Sequence, residues 1–475
     1  MFRWTHWTPL VIGLFAFAMP PHVGHSVCRA ERPRVFVLTD ISNEPDDEES
    51  LVRFLVYSNE FDIEGLVATT STWLRSDPRE DLIRRQIDAY AKVRDNLSAH
   101  AAGYPTADQL RLVTATGQTE YGMAGVGEGK STPGSELLID AALMPDERPL
   151  WVCIWGGANT LAQALRDAGR KLRYNQFHQM VRRLRVYTIS DQDDAGPWLR
   201  REFADLFYIV SPSTEDGGLY HQATWTGISG DQFYKNGPFE SFDMVDNPWL
   251  VENVIEDHGP LGELYPEAKY IMEGDTPSFL GLIDNGLGWH YSPSYGGWGG
   301  RYQLFQTYGE TRPIWTNNRN SRDTVSTSDG VTVTSDPATI WRWRRHFQND
   351  FAARMDRCVS RRFEDVNHNP VAVVNGDESR RVVRIAAQPE QTIELSSSGS
   401  RDPDDDQLSI RWYIYPEAGS YPGTVQLKND KRPIATIQVP KDARGKQTIH
   451  IILEIEDDGT PPLVAYRRVI IDVVQ

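Results

Sequence analysis

Between residue 34 and about residue 212 the chain alternates apolar runs of strand length with segments of helical period, the pattern of a mostly parallel sheet wrapped by helices. A buried strand is predicted over 34–39, and a helix over 48–57 with Leu51, Phe54 and Leu55 on one face. A second strand follows over 63–69, then a longer amphipathic helix over 81–97. The apolar run 150–155 leads into a helix at 160–166, and the run 184–189 leads into another at 198–203. Each strand ends in polar residues and glycine. In open α/β sheets ligands bind outside those carboxyl ends.

The pattern then changes. From about 212 to 308 the chain is rich in Gly, Trp and Tyr, and a basic helical stretch runs from 341 to about 362. Asn367-His-Asn-Pro370 reads as a linker, and short β-type runs separated by turn residues fill the remainder, the spacing of a β-sandwich. The expected organisation is an α/β domain over 31–366 and an all-β domain over 367–475. Arg3 and His6 precede the apolar run 10–17, and Ala16-Phe17-Ala18 has the small-x-small form of a signal-peptidase site. Residues 1–30 are therefore predicted to be a signal peptide, cleaved near 18 or near 30, which implies a secreted or periplasmic protein. That run is too short to span a bilayer, and no later stretch reaches about 18 apolar residues, so no membrane anchor is expected. Three cysteines exclude a disulfide framework; Cys153 lies in an apolar run, and Cys358 has no His or Cys at metal spacing. Forty-nine Lys and Arg against 66 Asp and Glu give a net charge of −17, which opposes any grip on nucleic acid.

Part of that charge is concentrated. Thr39-Asp-Ile-Ser-Asn-Glu-Pro-Asp-Asp47 lies between the first strand and the first helix, and holds the carboxylates Asp40, Glu44, Asp46 and Asp47. Such crowding is costly unless a cation, a substrate hydroxyl or helix N-terminal amides compensate it. Capping of the helix by Asp46 or Asp47 is the simpler reading, but one cap needs one carboxylate.

This segment resembles the N-terminal signature of nucleoside hydrolases, an Asp-x-Asp-x-x-x-Asp-Asp run that holds Ca²⁺. Together with Ile189-Ser-Asp-Gln-Asp-Asp-Ala-Gly-Pro-Trp198, Trp225-Thr-Gly-Ile-Ser-Gly-Asp231, His258-Gly-Pro-Leu-Gly262 and Glu273-Gly-Asp-Thr-Pro-Ser-Phe279, it is similar to a family of bacterial secreted cellulose-binding proteins. Their nucleoside-hydrolase-like domain is followed by an immunoglobulin-like β-sandwich. The resemblance implies a Ca²⁺ or Mg²⁺ ion held by Asp40, Asp46, Asp47 and Asp275 and by Asn159, at the position in Gly156-Gly-Ala-Asn-Thr-Leu-Ala162 whose backbone carbonyl reaches the metal. It also exposes two departures: Ser42 stands where nucleoside hydrolases carry the acid that activates water, and Gly274 where many relatives carry a His. A serine hydroxyl cannot take a proton at neutral pH, so Asn43 and Glu44 are the candidates to supply that function, and Glu273 is a further acid or base.

The expected catalytic residues are therefore Asp40, Glu44 and Glu273. Candidate substrate contacts are Asn43, together with Asp191 and Asp193, which end another predicted strand and face the cleft or cap the following helix. Trp298 and Arg301 lie in a Gly-rich aromatic stretch suited to stacking on sugars, or else folded onto the domain's own core. His221 and His258 are loop histidines of lower rank. In the sandwich, Ser400-Arg-Asp-Pro-Asp-Asp-Asp-Gln-Leu408 resembles the acidic loop of extracellular immunoglobulin-like modules, some of which bind Ca²⁺; an acidic β-turn without metal is the alternative. The expected partner is carbohydrate. Two functions remain open: a metal-assisted hydrolase of glycosyl bonds, N-glycosyl by the resemblance or O-glycosyl by the glycan association, and a non-catalytic cellulose- or polysaccharide-binding protein.

Overall fold

The computed structural model describes residue 1 and residues 32–42, 44–212 and 217–475. The expected signal peptide and Asn43 lie outside the described residues.

The first half of the chain folds as the alternation requires. An eight-stranded sheet is built from β1 (Arg34–Thr39), β2 (Asp62–Ala68), β3 (Thr114–Thr116), β4 (Leu150–Ile154), β5 (Leu184–Thr188), β6 (Phe207–Val210), β7 (Gln303–Phe305) and β8 (Ile314–Thr316), in the order β3-β2-β1-β4-β5-β6-β8-β7. All neighbours are parallel except the edge pair of β7 and β8. Alternate residues of β1 enter different cores: Val35 and Val37 pack with Phe54 and Ile87, while Phe36 and Leu38 pack with Leu161 and Ile154. Both faces are covered, so β1 is apolar throughout. Successive crossovers run outward from β1 through β2 to β3, and from β4 through β5 to β6. The order therefore reverses between β1 and β4, and the crevice for a ligand opens above their carboxyl ends.

A two-stranded hairpin, β9 (Asp323–Ser326) and β10 (Thr332–Ser335), and the helix Arg344–Val359 complete this half. The remainder forms two packed sheets. One has four strands, β11 (Val383–Ala387), β17 (Val464–Val473), β16 (Thr448–Glu456) and β13 (Ser409–Ile414); the other has β12 (Thr392–Ser396), β15 (Ile434–Gln438) and β14 (Leu427–Lys428). Trp412, Leu395, Ile437, Leu453 and Ile471 form its core.

The outer face of β16 and β17 seals the sandwich to the α/β half. Arg468 donates to Leu287 O (2.6 Å) and Gly296 O (2.9 Å), and Tyr466 N donates to Asn285 O (3.0 Å). Gly286 makes this approach feasible, since a Cβ there would lie 1.8 Å from Tyr466 O and its φ is +92°. Asp323 on β9 sits between Arg301 Nε (2.7 Å) and Arg342 (2.8 Å) and accepts from Tyr415 OH (2.5 Å) of the sandwich. Burial alone would raise its carboxyl, but Arg342 and Arg301 hold it below the usual range. Asp323→Ala leaves two buried guanidinium groups short of a counter-charge, so we expect a loss of about 3–5 kcal/mol in urea unfolding, with both halves melting in one transition. An unchanged midpoint would contradict this assignment.

Candidate functional site

The acids of the cluster are brought together by several elements. Asp40 follows β1 directly and accepts a hydrogen bond from Ser71 Oγ, just beyond β2. The same oxygen accepts from Trp73 N (2.9 Å) and Leu74 N (3.0 Å), so one hydroxyl sets both Asp40 and the loop carrying Trp73. Thr39 Oγ1, at the end of β1, donates to the Asp47 carboxylate. Asp46 and Asp47 open the helix Asp46–Val56, where its free N–H groups and dipole favour negative charge. Beyond β4, a Cβ at Gly156 would lie 2.6 Å from Asp40 Oδ1, so only glycine leaves Asp40 its place.

Asp275 arrives from the far end of the sequence on a turn pinned to the same helix. Glu273 N donates to Glu49 Oε2 (2.7 Å), and the Glu273 carboxylate pairs with Arg53 while accepting from Tyr265 OH (2.8 Å) and Thr276 Oγ1 (2.8 Å). Between them, a Cβ at Gly274 would lie 2.7 Å from Asp46 Oδ2. The result is a carboxylate cluster in which single oxygens of Asp46, Asp47 and Asp275 lie within 4.8 Å of one another. Asp275 Oδ2 is buried without a hydrogen-bond partner.

These acids, with Asp40 and Glu44, floor a cavity of about 420 Å³. Trp155, Tyr220, Trp225 and Tyr234 contribute to its walls, together with Trp73, Phe233 and Tyr270, which are about half exposed. No Lys, Arg or His is among the described residues lining it. Burial raises Asp40 to about 6 against the pull of Ser71, and burial followed by the charges of Glu44 and Asp40 raises Asp46 to about 8. Asp47 and Asp275 are pushed well above the carboxylate range by burial and then by their acidic neighbours. Glu44 is raised by burial and by Asp40. Five acids in one enclosure cannot all ionise without a counter-charge, and the described residues lining the enclosure include no basic side chain. The orphaned Asp275 oxygen and the clustered carboxylates fit a hard cation.

The nucleoside hydrolase-like domain of cellulose-binding Sde182 matches residues 34–302, and the C-terminal domain of cellulose-binding protein Sde0182 matches residues 392–473. The chain belongs to this family. Among solved structures, a nucleoside hydrolase-related hypothetical protein from Saccharophagus degradans, described as associated with carbohydrate metabolism, is 37% identical, with 93% of this chain and 100% of that chain covered and a TM-score of 0.79. The type III effector XopQ complexed with adenosine diphosphate ribose is 13% identical over 70% of this chain and 96% of its own, with a TM-score of 0.28. The effector XOO4466 is 12% identical over 70% and 95%, with a TM-score of 0.27. At those scores neither effector carries an argument about this chain. No curated protein matches it significantly.

Several residues expected at the site of this family member lie elsewhere. Glu273 is fully buried in its pair with Arg53 and holds the Asp275 turn, which removes it from the expected catalytic set. The Asn159 side chain donates to Thr70 Oγ1 (2.8 Å) and Glu120 O (2.8 Å) and accepts from Thr69 Oγ1 (3.0 Å), so it is held by the surrounding loops, and the ligand expected at this position is its backbone carbonyl. Asp191 is locked in a buried ion pair with Arg200 at 2.7 Å. Asp193 accepts from Asn159 N (3.0 Å) and Ala195 N (3.0 Å), bridging two helix starts as the capping alternative foresaw. Trp298 packs edge-on against Phe347 and Tyr466, and Arg301 serves Asp323, so both side chains are buried at the seam with the sandwich. His258 is buried beside Asp356 (3.2 Å), away from the cavity.

The cavity aromatics went unrecognised because no spacing rule gathers rings from separate loops; the only signal was the richness in Trp and Tyr after residue 212. Two substitutions test this account. Glu273→Gln leaves Arg53 buried without its charge partner, so we expect about 3–5 kcal/mol lost in urea unfolding; a catalytic acid would leave stability unchanged. Gly274→Ala drives a methyl group into Asp46 Oδ2, and calorimetric titration with Ca²⁺ is expected to show weaker binding at unchanged circular dichroism.

Proposed function

We propose that the cavity binds a neutral glycosyl group against a divalent cation held by Asp40, Asp46, Asp47 and Asp275, and hydrolyses its glycosyl bond. One observation carries this reading: five carboxylates, with no basic side chain among the described lining residues, lie under a wall of aromatic rings. The absence of any basic lining side chain disfavours phosphorylated or acidic sugars, while indole and phenol faces suit the apolar faces of a sugar. When bound, the cation supplies ligation of vicinal hydroxyls and activation of a water. Glu44 serves as the acid–base group, since it lines the cavity outside the three-carboxylate cluster and, unlike the buried Asp40, is only partly buried. Trp155, Trp225 and Tyr234 hold the ring and exclude bulk water. Export belongs to the same proposal, supported by the N-terminal pattern and the cellulose-binding family; no helix among the described residues is long and apolar enough to cross a membrane.

A second reading, a sugar-binding site without turnover, is favoured by Ser42, whose hydroxyl stands where an acid would be needed to activate water. A panel of neutral nucleosides, aryl glycosides and cello-oligosaccharides separates the two. Hydrolysis predicts product release that stops on chelation and returns with Ca²⁺, and Glu44→Gln lowers kcat by about 10²–10⁴. Ca²⁺-dependent binding of an intact oligosaccharide, with no product from any substrate, would establish the second reading instead.

A further inference from the structure

A second group of acids lies in the sandwich, in the loop between β12 and β13. Asp402 Oδ1 accepts from Asp404 N (2.7 Å) and Asp406 N (3.2 Å), which curls the loop until single oxygens of Asp402, Asp404 and Asp406 lie within 4.8 Å of one another. Those turn bonds satisfy one oxygen of Asp402 only. Its Oδ2 is buried and has no partner.

Asp457 repeats this condition from a different loop. It is 4% exposed, and its Oδ1 accepts from Gly459 N (3.0 Å), Leu463 N (2.9 Å) and Asn367 Nδ2 (2.9 Å). Its Oδ2 is buried without a partner. Asp406 approaches from the same side: a Cβ at Gly459 would lie 2.2 Å from Asn367 Nδ2 and 2.6 Å from Asp406 Oδ2. The adjoining surface cavity is lined by Glu364, Asp365, Asp404, Asp405, Asp406 and Asp458, with no Lys, Arg or His among its lining residues.

A buried carboxylate oxygen with neither donor nor counter-charge is expensive, and here two occur, on Asp402 and Asp457, in loops that meet at Asn367, Gly459 and Asp406. An acidic turn without metal accounts for Asp402 Oδ1 and leaves both Oδ2 atoms unexplained. We propose that Asp402, Asp404, Asp406 and Asp457 bind one hard divalent cation of the Ca²⁺ class, which fastens the interdomain linker to the sandwich. Several carboxylates in irregular geometry suit Ca²⁺ better than the strict octahedron of Mg²⁺. The linker is already tied to the same acids: His368 N donates to Asp404 Oδ2 (2.7 Å), and Asn367 Nδ2 reaches both Asp457 and Pro461 O (2.8 Å). An ion on these carboxylates would fix the linker through them.

The test uses the full chain, stripped by chelation and titrated with Ca²⁺ alone in a calorimeter. Asn at 402 and 457 keeps the Oδ1 acceptors and removes the charge of the orphaned oxygens. The Asp402→Asn, Asp457→Asn double variant is expected to lose one Ca²⁺ equivalent, or to bind it about tenfold or more weakly, with its circular dichroism retained. Ca²⁺ is also expected to slow tryptic cleavage at Arg361 and Arg362 in the wild type and not in that variant. Undiminished Ca²⁺ stoichiometry and affinity in the folded double variant would overturn the proposal. A second chain, Asp47→Asn with Asp275→Asn, weakens the cavity's own cation site and covers the case in which the first variant fails to fold. Ca²⁺-dependent protection of Arg361 and Arg362 from trypsin in it supports the sandwich site, and no such protection overturns it, whatever becomes of the cavity's own cation.

Discussion

Mutual repulsion among Asp40, Glu44, Asp46, Asp47 and Asp275 is the constraint around which the α/β half is arranged. Burial in one enclosure raises each of these carboxyls above its ordinary range. Neighbouring features consist of what such a group requires. Ser71 and Thr39 donate to it, the start of the helix Asp46–Val56 turns its dipole toward it, and Gly156 and Gly274 vacate the space it occupies. The buried pair of Arg53 and Glu273 brings Asp275 to the cluster without placing a basic group on the cavity wall. Had Arg53 faced the cavity, the acids would have been neutralised internally and would offer a cation nothing.

The sandwich follows a comparable logic on its two sides. Toward the α/β half, buried charged groups have partners: Asp323 lies between two arginines, and Arg468 donates to backbone carbonyls. Near the linker, Asp402 and Asp457 each keep a buried oxygen without a partner. The first arrangement makes a rigid seam. The second leaves a position where a cation would act on the relation between the halves.

Much of this was legible in the chain itself. The strand over 34–39 coincides with β1, and the helix over 48–57 begins two residues late because Asp46 and Asp47 are acids at a helix start, where composition alone does not separate loop from first turn. The runs 150–155 and 184–189 each ended one residue beyond β4 and β5. The clustering of Asp40, Asp46 and Asp47 was visible because they are neighbours in sequence. Asp275 entered only through family resemblance, and Glu273 beside it proved to be a structural partner of Arg53.

The sequence by itself determined the parallel sheet, the acidic strand end and the all-β C-terminal part, because period and local charge density are properties of consecutive residues. Only the tertiary structure decided which polar groups remain free. Asp191 and Arg301 have the same chemistry as working site residues, and each was withdrawn by a partner 9 or 22 residues away. The aromatic walls were equally undecided, since Trp73, Trp155 and Trp225 come together only once separate loops close over the end of the sheet. A side chain's capacity to bind is set by what it has not already bonded in the fold, and that is a long-range property.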